Sequence, residues 1–307
     1  MKLFGKVLEF EFLKYRKQAV FVSAFLILVT IVSIAAHGGL KYGIDFAGGT
    51  LIQLRFKEAK PVNEIRKIID GLKIGGGDIQ EFGEPEDIII NIHTKDGEHD
   101  GAVNAVKAGL EKSFGKDSFV VERIEMVGPK VGKDLSSKAM MALLYSMIGI
   151  LIYVSYRFEY RFAFAAVIAL AHDTIITVGA FSLTGKEFAL PVIAALLTVI
   201  GYSLNDTIVV FDRVRENLRL KRSLEITDLV NTSINQTLGR TIITSGTTLL
   251  VVLAIFIFGG SVIHDFAFAL IVGVVIGTYS SIFVASPVLI SWPGTTTQTL
   301  SLAIRKG

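Results

Sequence analysis

The sequence contains no cysteine. Without thiols the chain can form no disulfide, hold no zinc ion through thiolates and carry out no thiol catalysis. The absence does not identify a compartment, because a domain that faces an oxidising space can be held together without disulfides. These three kinds of chemistry are therefore excluded at the outset.

Charge is the second scarcity. Only 19% of the 307 residues are charged, whereas 51% are hydrophobic and the mean hydropathy is +0.56. That balance is too apolar for a soluble globular domain and predicts a polytopic membrane protein. The net charge of +3 is too small to indicate a nucleic-acid partner. The basic residues lie beside apolar segments instead, where they act as topology signals.

The chain contains many long apolar segments. Six of them approach the roughly 20 residues that a helix needs to cross a hydrocarbon core about 30 Å thick. They cover residues 18–36, 138–156, 163–183, 188–211, 241–260 and 265–291. The first run is longer than the apolar part of a usual signal peptide and further spans follow it, so we predict an uncleaved transmembrane helix.

Basic residues indicate which ends of the spans face the cytoplasm. If six helices alternate in direction, the basic residues before the first span, between the second and third, and after the fourth fall on one side. They are Lys2, Lys6, Lys14, Arg16, Lys17, Arg157, Arg161, Arg213, Arg215, Arg219, Lys221 and Arg222. The positive-inside rule assigns that side to the cytoplasm, so both termini are predicted to be cytoplasmic.

A polar insert between the first two spans is predicted to fold as a separate extracytoplasmic domain. Alternating, β-branched segments predict strands, and a period near 3.6 predicts helices. The predicted strands are 50–56, 78–82, 87–92 and 119–126, the helices are 61–72 and 102–114, and the hairpin turn is 83–86. The order β-α-β-β-α-β is that of a ferredoxin-like split βαβ sandwich.

The predicted fold class is therefore a polytopic α-helical membrane protein with six transmembrane helices and one extracytoplasmic α+β ferredoxin-like domain. Residues 1–36 are the cytoplasmic N-terminus and first helix, 37–137 the α+β domain, 138–291 the other five helices, and 292–307 a cytoplasmic tail. Such a chain is a multi-pass protein of the cell (inner) membrane.

One acid lies inside the fourth apolar run. Asp206 occupies a position where a carboxylate costs roughly 2.5–3.5 kcal/mol on insertion scales. It lies about 10 Å inside Arg213 at 1.5 Å per residue, and its short side chain cannot easily reach water from there. Asn205 and Tyr202 are its polar neighbours on the helix. The pattern favours a proton-handling group, and the alternative is a structural hydrogen bond that locks two helices.

A polar stripe on the fifth run is the predicted partner of this acid. Arg240, Thr244, Thr247 and Thr248 recur at helical spacing. The long side chain of Arg240 can point inward toward Asp206, or it can snorkel outward as an ordinary positive-inside anchor. Spacing alone does not decide between these two. The hydroxyls taken alone are typical of helix packing.

His172 and Asp173 form the other ionisable pair at depth, in the third run. A metal site would need further His or carboxylate ligands, and this run offers none at ligand spacing. The favoured interpretation is that the two side chains pack together and hydrogen-bond to each other. The alternative is a second polar site in the same cavity.

No Ser-His or Asp pair is placed for catalysis, so we predict neither an enzyme nor a cofactor.

Several motifs, spread from the first span to the last, are long enough to be specific. They are residues 43–50 (Gly-Ile-Asp-Phe-Ala-Gly-Gly-Thr), 127–132 (Val-Gly-Pro-Lys-Val-Gly), 157–159 (Arg-Phe-Glu), 172–173 (His-Asp), 201–217, 231–248 and 277–281 (Gly-Thr-Tyr-Ser-Ser). These segments resemble the SecF family, the smaller of the two accessory membrane subunits of the bacterial Sec protein-export machinery.

The resemblance implies a six-helix half of the resistance-nodulation-division transporter fold, paired with SecD, which supplies the other half. It implies assistance to the export of unfolded preproteins through the SecYEG translocon, with the proton motive force as the energy source and protons as the coupling ion. By family analogy, Asp206 and Arg240 match the charged pair that is linked to proton passage. The resemblance assigns no role to Asp173.

Two other functional classes remain open at this stage. One is a half-size exporter of a small molecule or lipid from the same superfamily, although a usual exporter has a duplicated twelve-helix chain. The other is a purely structural subunit that stabilises the translocon without proton flow. Replacing Asp206 with Asn separates the structural subunit from a proton-driven one, because the amide keeps the volume and does not titrate.

Overall fold

The computed structural model describes residues 10–72, 74, 77–92, 99–220 and 224–297. In chain order its elements are a one-turn 3₁₀ helix (Phe12–Tyr15), α1 (Arg16–Ala36), α2 (Ile44–Ala47), β1 (Gly49–Phe56), α3 (Val62–Gly71), β2 (Gly77–Phe82), β3 (Glu84–Ile92), α4 (His99–Phe114), β4 (Phe119–Val127), α5 (Pro129–Arg157), α6 (Tyr160–Thr184), α7 (Leu190–Leu220), α8 (Ile226–Phe258), α9 (Ser261–Ser280), a π-helical segment (Ser281–Ala285) and α10 (Ser286–Ser291). The predicted N-terminal residues 1–9 and tail residues 298–307 lie outside the described part of the chain.

Six helical segments among the described residues are long and apolar enough to cross a membrane, which confirms the six predicted spans. Several helices extend beyond the apolar runs from which they were predicted. The α5 helix begins at Pro129 because proline is favoured in the first turn, where its missing N–H costs nothing. The α7 helix continues to Leu220 through a charged segment. Hydropathy therefore marks the membrane-crossing part and not the helix ends.

The α+β domain is built on one antiparallel sheet with the strand order β2-β3-β1-β4. Strands β1 and β2 flank β3, so each βαβ unit is split by another strand, and the predicted ferredoxin-like topology is confirmed. The helices α3 and α4 cover one face of the sheet. Their buried side chains, including Ile65, Ile69, Val106 and Leu110, pack against Ile52, Leu54, Ile88 and Ile90 of β1 and β3.

The hairpin between β2 and β3 is tighter than the sequence predicts. Only Gly83 lies between the two strands, with a φ of +86°, and β3 already includes the three residues after it. A positive φ of this kind is easy for glycine and strained for other residues. Pro85 is tolerated inside β3 because it lies near the beginning of that strand.

Two glycine motifs join the α+β domain to the helical bundle. A Cβ on Gly48 would lie 2.9 Å from Pro129 Cα, and a Cβ on Gly132 would lie 2.8 Å from the carbonyl oxygen of Phe46. The short helix α2 and the first turn of α5 therefore approach each other backbone to backbone. Only glycine permits that contact at these two positions.

Helices α6 and α7 occupy the centre of the bundle and have more buried residues than any other described helix. Helix α9 packs closely on α7 through small residues. A Cβ on Gly273 would lie 2.1 Å from Val199 Cγ2, and a Cβ on Gly277 would lie 2.9 Å from Ser203 Cβ. These close approaches bring the polar residues of both helices into contact range.

Candidate functional site

Asp206 lies at the meeting point of three helices in the bundle. Its side chain on α7 is only 2% exposed. Ser245 of α8 donates a hydrogen bond from Oγ to Asp206 Oδ2 at 3.1 Å. Thr278 of α9 donates to Ser245 Oγ at 2.8 Å. The acid is therefore linked to its surroundings through neutral hydroxyl groups.

No cation is in ion-pair contact with Asp206 within the described part of the chain. Arg240 of α8 is exposed, and it belongs to none of the ion pairs among the described residues. Its charge still acts on Asp206 through space, since the two residues interact electrostatically. Arg240 therefore interacts electrostatically with the acid but makes no direct contact with it among the described residues.

Among the described residues, no hydroxyl of the predicted stripe on α8 donates a hydrogen bond to Asp206. Thr244 and Thr247 donate to carbonyl groups of their own helix, one turn back, at 3.0 and 2.8 Å. Thr248 is half-buried, and Asn205 of α7 is exposed. The contact to the acid comes from Ser245, which sequence reasoning missed. The sequence gives little indication of this contact, because the rotation of the helix decides which of several hydroxyl residues faces the acid.

Two further hydroxyl groups lie buried within about one helical turn of Asp206 along α7. They are Tyr202 OH and Thr207 Oγ1, and neither has a hydrogen-bond partner among the described residues. Buried hydroxyl groups usually have such partners. Tyr202, predicted as a supporting residue, thus presents a free polar atom on the same helix as the acid.

His172 and Asp173 of α6 form a second, fully connected network. Asp173 is 1% exposed, and its Oδ1 lies 2.9 Å from His172 Nδ1. Its other oxygen, Oδ2, accepts hydrogen bonds from Ser203 of α7 at 2.6 Å and from Ser280 of α9 at 2.7 Å. Three side chains on three helices therefore hold this carboxyl group.

The network continues from His172 to the first helix. His172 Nε2 lies 3.1 Å from Ser23 Oγ, and Ser23 Oγ lies 3.2 Å from Tyr279 OH. Tyr279 in turn donates to the carbonyl oxygen of Ala19 at 2.9 Å. The predicted mutual contact of His172 and Asp173 is thus part of a chain of hydrogen bonds that joins α1, α6, α7 and α9.

The two acids belong to neighbouring networks that share two helices. Ser203 and Asp206 lie within one turn of each other on α7, and Thr278 and Ser280 do so on α9. A movement between α7 and α9 must therefore affect both acids. No group of three or more metal-ligating side chains converges anywhere in the described residues.

Comparison with known proteins gives consistent matches along the chain. The family model for the SecD/SecF GG motif matches residues 34–60, and the model for the C-terminal part of the protein export membrane proteins SecD and SecF matches residues 106–294. The chain is 50% identical over 299 residues to the protein translocase subunit SecF of Magnetococcus marinus and covers 96% of both chains. It is also 50% identical over 279 residues to that of Calditerrivibrio nitroreducens, covering 90% of this chain and 91% of the relative.

Two crystal structures of SecDF also resemble the chain. One is described as a translocon-associated membrane protein from Thermus thermophilus, with a TM-score of 0.85 and 38% identity. The other, in a super-membrane-facing form, has a TM-score of 0.65 at the same 38% identity. The alignments cover 96% and 95% of this chain but only 40% of each SecDF chain.

Proposed function

The chain belongs to the SecF family of protein translocase subunits, and from that premise we propose that it forms a SecDF complex in which Asp206 carries the protons that drive protein export. The chain corresponds to 40% of the SecDF chain that it resembles, so a SecD subunit supplies the rest. The complex would act beside the SecYEG translocon on an emerging, unfolded preprotein. Protons, and not a bound cofactor, would couple the energy.

The observation that carries this proposal is the contrast between two equally buried acids. Asp173 contacts three polar side chains, whereas Asp206 accepts a hydrogen bond from Ser245 alone and has no ion-pair partner in the described residues. Hydrogen bonds donated to a carboxylate favour its ionised form, so an acid with few of them loses less when it takes up a proton. Asp206 has few such ties and is the acid that is free to exchange a proton.

Arg240 is the proposed regulator of that exchange. A rocking motion that brings this guanidinium group toward Asp206, or takes it away, changes the proton affinity of the acid. By reciprocity, protonation of the acid then biases the motion. One proton that crosses about 100 mV releases roughly 2.3 kcal/mol, which is enough to shift a two-state equilibrium more than tenfold.

The proposed orientation places both termini in the cytoplasm and the α+β domain, residues 37–137, outside. The support is the basic residues at the α5–α6 turn and at the end of α7, together with the positive-inside rule. In the structure the turn between α6 and α7 contacts the α+β domain, as alternation of the helices requires. Tail residues 292–297 and those that follow would then be cytoplasmic.

The test replaces Asp206 with Asn in the complex with SecD, in a strain with no other copy. We expect proton-driven export to fall to the level without SecF, while the yield of the complex is unchanged. Asp212→Asn is the matched control, because Asp212 is an acid on the same helix whose side chain is 45% exposed beside Arg157. Undiminished proton-driven export in the Asp206 variant would sink the proposal and leave a structural subunit.

A further inference from the structure

We propose that Asp45 is a positioning residue that couples the movement of helix α7 to the α+β domain. Asp45 belongs to the short helix α2, which leads directly into β1 of that domain. Its carboxylate binds the N-terminus of α7, the helix that carries Asp206. This inference rests on the proposed proton role of Asp206 and adds the path by which that role reaches the α+β domain.

The contact is a helix cap supplied from another part of the chain. The N–H group of Leu190, the first residue of α7, donates to Asp45 Oδ2 at 2.8 Å across 145 residues of sequence. The helix has no acid in its own first turn, and Pro191 has no N–H to be satisfied. Ala189, which precedes the helix, has no side chain that could cap it. A carboxylate at this place also faces the positive end of the helix dipole.

Backbone hydrogen bonds attach the same turn to the residues that precede α2. Gly43 N–H donates to the carbonyl oxygen of Phe188 at 3.1 Å, and Phe188 N–H donates to that of Lys41 at 2.7 Å. A Cβ on Gly43 would lie 3.1 Å from Ala189 Cβ, so the two segments are in close contact. The turn is therefore also attached through the backbone to residues 41–43.

The sheet itself reaches the turn through a third contact. Asn91 of β3 donates from Nδ2 to Glu187 Oε1 at 2.6 Å. Below it, Phe46 of α2 is buried against Phe188, with ring centroids 6.2 Å apart. The turn before α7 is thus attached to α2, to the segment before it and to the sheet.

Both sides of this connection are stiff. Helix α7 is unbroken from Leu190 to Leu220, so Asp206 lies about 24 Å along the same rod from the cap. Because α7 is one continuous helix, a tilt or shift of the helix at Asp206 also displaces Leu190. Asp45 then passes it to α2 and β1, because only Gly48 separates α2 from the strand.

The chain offers a clean way to test this coupling, since it has no cysteine. Lys116→Cys places a single fluorescent label on an exposed residue of the α+β domain, after α4. The labelled chain is reconstituted with a cysteine-free SecD in proteoliposomes, and a proton gradient is imposed. Two quantities are measured in parallel, the change in label fluorescence and proton uptake by a pH dye.

We expect Asp45→Ala to reduce the fluorescence response about fivefold, if the response scales with the equilibrium constant that loss of a helix cap typically changes by about that factor. Proton uptake should persist, because Asp206 is untouched. Asp45→Asn keeps an acceptor oxygen and loses the charge, so it should assemble normally and give an intermediate response. Asp70→Ala, which removes an exposed acid from the same domain, is the matched control and should respond like the unmodified chain.

The outcomes separate this inference from the proposed function. If the unmodified chain and Asp206→Asn show the same proton uptake and the same fluorescence, the proton role fails and the coupling fails with it. If the response depends on Asp206 but is complete in Asp45→Ala, the proton role stands and Asp45 is only a structural cap. Should Asp45→Ala not assemble, a full response in Asp45→Asn overturns the coupling.

Discussion

Two buried acids in one bundle have different surroundings. We infer different roles for them from that difference. Asp173 bridges α6 to α7 and α9 through its hydrogen bonds to Ser203 and Ser280. Asp206 meets one neutral hydroxyl group, that of Ser245. We interpret Asp173 as a fixed structural junction and Asp206 as the acid that changes state.

The first prediction at this scale compares alanine at the two acids. Asp173→Ala should lower the free energy of unfolding by about 2–4 kcal/mol, because it deprives the buried side chains of Ser203 and His172 of their partner. Asp206→Ala removes the same atoms but only one neutral hydrogen bond, so its cost should be about 1 kcal/mol or less. Thermal unfolding of the detergent-solubilised chain measures both. Equal losses would contradict the distinction between the two acids.

The second prediction concerns the exposed arginine. Arg240→Met keeps a long side chain and removes the charge, so proton-driven export should fall about fivefold or more, at the low end of typical coupling energies. The amount of complex with SecD should not change. Arg219→Met, at the exposed end of α7, is the control and should export normally. If the complex falls apart in the Arg240 variant, this residue is an anchor and not a regulator.

At the scale of elements, the pairing of α7 with α9 is the contact that both acids depend on. Helix α7 contributes Ser203 to the Asp173 network and Asp206 to the other network. Helix α9 contributes Tyr279 and Ser280 to the first network and Thr278 to the second. Immediately after these residues the last helix becomes π-helical over Ser281–Ala285, and Ser286 Oγ donates to Ser281 O at 3.0 Å. Pro287 lacks the N–H group that would bond to the carbonyl oxygen of Phe283 in a regular α-helix. Such π-helical turns often lie at functional sites.

The prediction at this scale tests the close approach of the two helices. A Cβ on Gly273 would lie 2.1 Å from Val199 Cγ2, so Gly273→Ala should destabilise the isolated chain by about 1–3 kcal/mol through overpacking. Gly246→Ala on α8 is the control, since nothing lies within 4 Å of its added Cβ. Thermal unfolding in detergent distinguishes them. Matching stabilities would mean that α7 and α9 can separate without cost.

At the scale of the whole molecule, the α+β domain and the bundle are joined at the ends of α5 and α7. The Gly48 and Gly132 contacts hold the domain on α5, and the Asp45 cap holds it on α7. Helix α7, which carries the proposed proton-binding acid, and helix α5, which leads out of the domain, are therefore both attached to the same small helix, α2. This geometry is suited to the proposed coupling, in which protonation of Asp206 in the bundle changes the position of the α+β domain.

Local pattern was sufficient for much of this architecture. The six spans, the β-α-β-β-α-β order and the position of Asp206 follow from hydropathy, strand alternation and the cost of a carboxylate in hydrocarbon. Each depends only on residues that are near one another in the sequence. The hairpin at Gly83 and the start of α5 differed by a few residues, because turn geometry and helix caps extend elements beyond their apolar parts.

What the sequence determined by itself is the set of helices, the small domain and the one acid that has to be explained. Only the tertiary structure decided that Ser245 contacts this acid, that Arg240 makes no ion pair with it and that Asp45 caps α7. The physical reason is that lipid is as apolar as the side chains inside a bundle, so apolar periodicity does not tell which face of a membrane helix is buried. Helix rotation and the contacts between distant segments are set by packing alone.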